Sequence, residues 1–149
     1  MCSVALNSQL DICVSGGCDG VVVIHSLRAG RRLRVIRMAE AQIANVVAVS
    51  SVGAIYVHTR GDSALRKFSC NAELLHTTTV ESALVEIVLS ADGRLVISTD
   101  AEGAVCVRAG GDLSTLHALD KMGAVSLALL DQTLVIGCTD GQTRVVTVA

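Results

Sequence analysis

Residues 15–27 read Ser-Gly-Gly-Cys-Asp-Gly-Val-Val-Val-Ile-His-Ser-Leu. A strand ends at Ser15, a glycine-rich reversal carries Asp19-Gly20, and a second strand leaves with Val21, Val22, Val23 and Ile24. Asp-Gly between two apolar runs signals a hairpin, because glycine accepts the positive φ that tight hairpin turns demand. The pattern returns at Ser98-Thr99-Asp100-Ala101-Glu102-Gly103-Ala104-Val105-Cys106-Val107-Arg108. It returns again at Gly137-Cys138-Thr139-Asp140-Gly141-Gln142-Thr143-Arg144-Val145-Val146. A hairpin that recurs along the chain constrains the whole fold.

Working outward, residues 2–6 form a short apolar run, Asn7-Ser8-Gln9 a turn cluster and residues 10–15 the next strand. The strand 21–27 is apolar on both faces, as a strand covered on two sides should be. Arg28-Ala29-Gly30 makes another turn, and residues 31–37 read as a strand with an arginine-heavy edge. After a polar connector at 38–42, a second pass runs through strands at 43–50, 54–59, 64–70 and 74–80. Its turns are Ser51-Val52-Gly53, Arg60-Gly61-Asp62-Ser63 and Asn71-Ala72-Glu73. A third pass has strands at 83–90, 94–99 and 104–109, then a segment at 113–119 that reads as a strand or a helical turn. A fourth has strands at 124–130, 133–139 and 142–148, one fewer than the others.

The glycines closing the second turn of each pass fall at 20, 61, 103 and 141, at intervals of 41, 42 and 38. The polar residues after each first strand (Ser8, Ser50, Ser90, Asp131) are separated by 42, 40 and 41. Four strands in a period of about 40–45 residues is the signature of a WD-type propeller blade. Helical repeats of that period need a 3.6-residue alternation, whereas here the period is two. The expected fold is all-β: a partial WD-type β-propeller of about three and a half to four four-stranded antiparallel blades, near residues 2–37, 43–80, 83–120 and 124–149.

Composition agrees. Apolar residues make up 51% of the 149 and charged residues 17%, enough to bury a core and too little charge for a disordered tail. Tyr56 and Phe68 are the only aromatics, so the core is aliphatic and β-branched, which favours strands. A net charge of −2 gives no general attraction to nucleic acid or an anionic membrane. No apolar run reaches the 18 residues of a membrane-spanning helix, and the N-terminus lacks the basic-then-apolar order of a secretion signal. The six cysteines (Cys2, Cys13, Cys18, Cys70, Cys106, Cys138) are therefore expected to be reduced core thiols in a cytoplasmic protein.

Several stretches go beyond a generic blade. Residues 10–37 run through strand, Ser-Gly, Asp-Gly turn, Val-Val-Val-Ile-His-Ser-Leu-Arg-Ala-Gly and a basic strand. Val57-His58-Thr59-Arg60 precedes Arg66-Lys67-Phe68-Ser69, and Leu89-Ser90-Ala91-Asp92-Gly93-Arg94 precedes Gly103-Ala104-Val105-Cys106-Val107-Arg108. Together these resemble the WD-repeat region that closes BEACH-domain proteins, the neurobeachin, beige and lipopolysaccharide-responsive group. Two features depart from the WD pattern: the Trp-Asp dipeptide is absent, with His25-Ser26 in its place, and so is the opening Gly-His. The resemblance implies a partial polar turn network in which Ser15 and Asp19 hold two positions and His25 stands where Trp is usual. It also implies a non-catalytic scaffold in vesicle or lysosomal trafficking, cytoplasmic or peripheral on intracellular membranes. Its partners would be other proteins, among them an upstream BEACH module.

The chemistry-bearing residues point the same way. Cys13 and Cys18 have the spacing Cys-x4-Cys, but no second pair follows to complete a zinc site. His25, His58, His76 and His117 fall at unrelated phases. Nucleophile-elbow, P-loop and dinucleotide motifs are missing, and Ala91-Asp92-Gly93-Arg94 lacks the alternating acids of a calcium loop. No catalytic, cofactor or metal residue is assigned. The one charge concentration is Arg28, Arg31, Arg32, Arg34 and Arg37, five of twelve basic residues within ten positions. Charge on an outer strand deters edge-to-edge pairing; the alternative is a patch for an acidic partner, with weak phospholipid contact and no nucleic acid. Two other functions compete with the BEACH-type scaffold. One is a generic WD-repeat adaptor. The other is a propeller enzyme or cofactor-binding propeller, which needs a repeated set of His, Asp or Glu that the passes lack.

Overall fold

The computed structural model describes residues 3–38, 43–61, 63–119 and 122–148. Cys2, residues 39–42 of the connector and Asp62 of the second-pass turn lie outside the described residues. All regular structure within them is β, in four antiparallel sheets that fall into two compact units, residues 1–81 and 82–149.

In the first unit, one sheet runs in order β1 (Ser3–Asn7), β2 (Ile12–Gly16), β3 (Val21–Ser26) and β4 (Arg32–Arg37). The register Cys13↔His25, Val14↔Ile24, Ser15↔Val23 sends Ile12, Val14, Val22 and Ile24 to one face, and these are buried. They meet Val47, Ile55, Val57 and Phe68 from the second sheet, β5 (Ile43–Val49), β6 (Ile55–Arg60), β7 (Ala64–Phe68) and β8 (Leu74–Thr79). Polar ties fix the two sheets: Ser3 Oγ accepts the Val47 N–H at 3.1 Å, and Asn7 Nδ2 donates to the Ser50 carbonyl at 2.8 Å.

The second unit begins with β9 (Leu84–Leu89), β10 (Leu95–Asp100), β11 (Val105–Ala109) and β12 (Thr115–Leu119). The ambiguous segment 113–119 thus resolves as a strand, held by Val105↔Leu119 and Val107↔His117. Ile97, Val105 and Val107 of this sheet pack on Leu127, Leu134, Ile136 and Cys138 of a three-stranded sheet, β13 (Ala124–Leu130), β14 (Thr133–Cys138) and β15 (Thr143–Thr147). A β-bulge between Ala124 and Ser126 displaces β13's ladder, and the Glu86 carboxylate accepts the Leu127 N–H at 2.7 Å.

The reversals are as periodic as the strands. First turns carry a positive φ at Asp11, Gly53, Gly93 and Asp131, and second turns at Gly20, Gly61, Gly103 and Gly141. Third turns carry it at Gly30, Ala72 and Leu113. Serine caps the first turns from within: Ser50 Oγ accepts from the Ala54 N–H and Ser90 Oγ from the Leu95 N–H. Aspartate fixes the second turns, since Asp19, Asp100 and Asp140 each accept an N–H two residues on.

Candidate functional site

The hairpin of β2 and β3 places the residues singled out from sequence. Asp19 lies in its turn and uses its carboxylate locally, accepting the Val21 N–H at 3.2 Å. Ser15 sits opposite Val23 and His25 opposite Cys13, so both side chains share the half-buried face of the sheet. Ser15, Gly16, Gly17, Asp19 and Val21 line an open depression of about 380 Å³; His25 lies outside it.

The polar node at the other end of this hairpin centres on Asp11, which sequence reading passed over. Ser26 Oγ donates to Asp11 Oδ2 at 2.7 Å, the Arg28 N–H donates to Asp11 Oδ1 at 2.8 Å, and the Arg28 guanidinium lies 4.0 Å away. The Ser26 hydroxyl first, then the Arg28 amide and charge, hold the Asp11 carboxyl below its ordinary 3.8. Asp92 is lowered in the same way by the Ser90 hydroxyl, the Arg94 N–H and the Arg94 charge. The signal for Asp11 was present: Asp131 stands three periods downstream, at the equivalent turn and also with positive φ.

Three of the five arginines lie on the outermost strand of the first sheet, with Arg31 just before it, while Arg28 lies by Asp11. Arg28 and Arg31 are exposed in the turn before β4, and Arg32, Arg34 and Arg37 are exposed along it. Arg32 stands opposite His25, Arg34 opposite Ile24 and Arg37 opposite Val21, with a bulge between the first two pairs. Arg32 and Arg37 therefore flank the face of Val21 and His25, and Arg34 the face of Ile24. Among the described residues, no carboxylate pairs with Arg31, Arg32, Arg34 or Arg37, and no strand lies along β4's outer side.

Cysteines and histidines are dispersed. Cys138 is buried, Cys13 and Cys106 are half-buried, and Cys18 and Cys70 are exposed, so the expectation of core thiols fails for the two that sit in turns. Cys13, Cys70, Cys106 and Cys138 are free thiols. His58 is buried with Nδ1 3.0 Å from the Ala64 carbonyl. Among the described residues, no three His, Cys, Asp or Glu side chains converge as a metal-holding group.

No family model matches the chain. It is 26% identical over 139 residues to BEACH domain-containing protein B of Arabidopsis thaliana, across 91% of this chain and 5% of that protein's length. The BEACH-type resemblance read from short motifs thus extends along most of the sequence. Among solved structures it is similar to the computationally designed Ika4 protein, with a TM-score of 0.82 and 19% identity over 99% of this chain and 91% of that one. It is also similar to the WD40 β-propeller domain of Doa1, with a TM-score of 0.75 and 13% identity over 97% of this chain and 50% of that one. BamB from Moraxella catarrhalis gives 0.74 and 14% over 97% and 52%. The fold is that of a partial WD-type β-propeller, and the chain spans about half of the Doa1 and BamB chains it matches.

Proposed function

We propose that the chain is a non-catalytic protein-interaction platform, the WD-repeat part of a BEACH-type scaffold in vesicle or lysosomal trafficking. The observation that carries the reading is the 26% identity to a BEACH domain-containing protein over 91% of this chain, on a propeller fold. The scattered histidines, the local use of Asp19 and Asp92 within their own turns, and the tie from Asp11 to Ser26 and the Arg28 amide support structural roles for the polar groups. On this reading the chain binds other proteins, an upstream BEACH module among them, and works in the cytoplasm or at the surface of intracellular membranes.

The test is co-purification of the tagged chain with a BEACH-module polypeptide, alongside fractionation of cells expressing the chain. Saturable capture of the module, with part of the chain sedimenting with endosomal and lysosomal membranes, supports the reading. A chain that captures no module and stays wholly in the soluble fraction overturns it.

A further inference from the structure

We infer that the outer edge of β4 is a docking site for an acidic, extended peptide segment that adds to the first sheet as a further antiparallel strand. The inference deepens the scaffold reading, on which it rests, by naming one surface and the chemistry of its partner. An edge strand offers unpaired N–H and C=O groups, and pairing with them supplies affinity that is independent of sequence. Side chains opposite and beside the edge then select the partner.

Edge protection alone does not account for the arginines. The fourth strands of the next two sheets are also outermost in their order, yet β8 reads Leu-Leu-His-Thr-Thr-Thr and β12 Thr-Leu-His-Ala-Leu, without a single Lys, Arg, Asp or Glu. Of the three fourth strands only β4, Arg-Leu-Arg-Val-Ile-Arg, is basic, in a chain whose net charge is −2. The arginines also choose among occupants. A second copy pairing through the same edge sets arginine near arginine, which repels. A strand bearing glutamate or aspartate meets guanidinium groups that no carboxylate among the described residues pairs with, Arg34 donating only to the Leu33 carbonyl at 2.9 Å.

The placement of the charges separates a peptide from a membrane. Arg32 and Arg37 flank one face of the sheet and Arg34 the other. A flat lipid surface meets only one of those faces. Side chains of an added strand alternate between both, so acids along it reach arginines on either side.

The test is fluorescence anisotropy of the full chain with a short labelled peptide of glutamate and valine, carrying a glutamate opposite each of Arg37, Arg34 and Arg32 in antiparallel register. A second peptide has the same sequence with alternate backbone nitrogens methylated, which removes the donors facing β4. The parent peptide is expected to bind, and the methylated one about tenfold more weakly through its lost backbone hydrogen bonds. The Arg32→Glu/Arg34→Glu variant is expected to lose about tenfold as two exposed ion pairs become repulsions. Binding falls as salt is raised.

Equal binding of the two peptides overturns the strand-addition mode, and this arm uses the unaltered chain, so it stands even where the charge variant fails to fold. No binding of the parent peptide also overturns the inference. So does arginine-dependent binding to phosphatidylserine-containing vesicles in place of the peptide. If the chain captures a BEACH module but ignores the peptide, this inference fails and the scaffold reading stands.

Discussion

Asp11 holds a left-handed backbone, φ +58°, and divides its two carboxylate oxygens between the Ser26 hydroxyl and the Arg28 amide. Those donors favour the charged form, so the carboxyl titrates below 3.8 in the folded chain and nearer that value in the unfolded one. A depressed folded value means stabilisation that is complete above the ordinary value and fades as pH falls through the lowered one. Asp11→Asn should therefore be less stable at neutral pH and lose less on acidification. Urea midpoints followed from neutral pH to below 3.8 should show a shallower acid limb, and Asp11→Asn/Asp92→Asn one shallower still, because Asp92 is shifted in the same direction. An unchanged limb in both variants removes these carboxylates from the account.

The turn glycines permit a second prediction at this scale. Gly141 has φ +79° and open space around an added Cβ, so Gly141→Ala meets only the left-handed penalty of about 1 kcal/mol. Gly103 has φ +80°, but its Cβ would stand 2.6 Å from Gly123 Cα and 2.9 Å from the Ala124 nitrogen. Gly103→Ala should cost about 2 kcal/mol more than Gly141→Ala in urea unfolding, since backbone cannot swing aside as a side chain can. These glycines were legible in the sequence because they recur with the period. The Asp11–Ser26 contact was not, because its partners are 15 positions apart and meet only once two hairpins are in register.

At the scale of elements, the strands were readable from turn residues and alternation, while their irregularities were not. The segment 113–119 resisted assignment because its leucines recur every third residue, nearer a helical turn than a strand's alternation; Leu113 proves to be a buried turn residue at φ +64°, and the strand begins at Thr115. The bulge at the start of β13 went unread although Gly123, at φ +65°, precedes it and Gly137 stands opposite Ser126. Its consequence is concrete: the Leu127 N–H is satisfied by the carboxylate of Glu86, from the neighbouring β9, as the Val47 N–H is by Ser3 in the first unit. Glu86→Ala leaves that donor without its acceptor and should destabilise the chain by about 1–3 kcal/mol. Glu86→Gln keeps an acceptor oxygen in place and should cost clearly less. Thermal and urea unfolding of the pair separate the hydrogen bond from simple loss of packing, because equal losses in Ala and Gln deny the bond its role.

For the molecule as a whole, the repeat period identified the propeller, since a forty-residue spacing of turns survives the loss of Trp-Asp and Gly-His. Which faces remain uncovered depends on register and could not be read from residue order. In the first unit, Val4 and Leu6 are 52% and 63% exposed on the face of β1 turned away from the buried core. In the second, Leu130 and Val145 are 74% and 66% exposed on the sheet of β13–β15. Repeat units bury such faces against neighbours, and a contiguous exposed apolar face promotes association. The 149-residue chain should therefore self-associate reversibly, its weight-average mass in sedimentation velocity rising above 15.4 kDa with concentration. Threonine keeps strand propensity while removing apolar surface, so Val4→Thr/Leu6→Thr and Leu130→Thr/Val145→Thr should each lower that mass without lowering the melting temperature, and the four changes together should bring it to the monomer. A wild-type chain that stays monomeric at every concentration would mean that these residues are too dispersed to act as one surface.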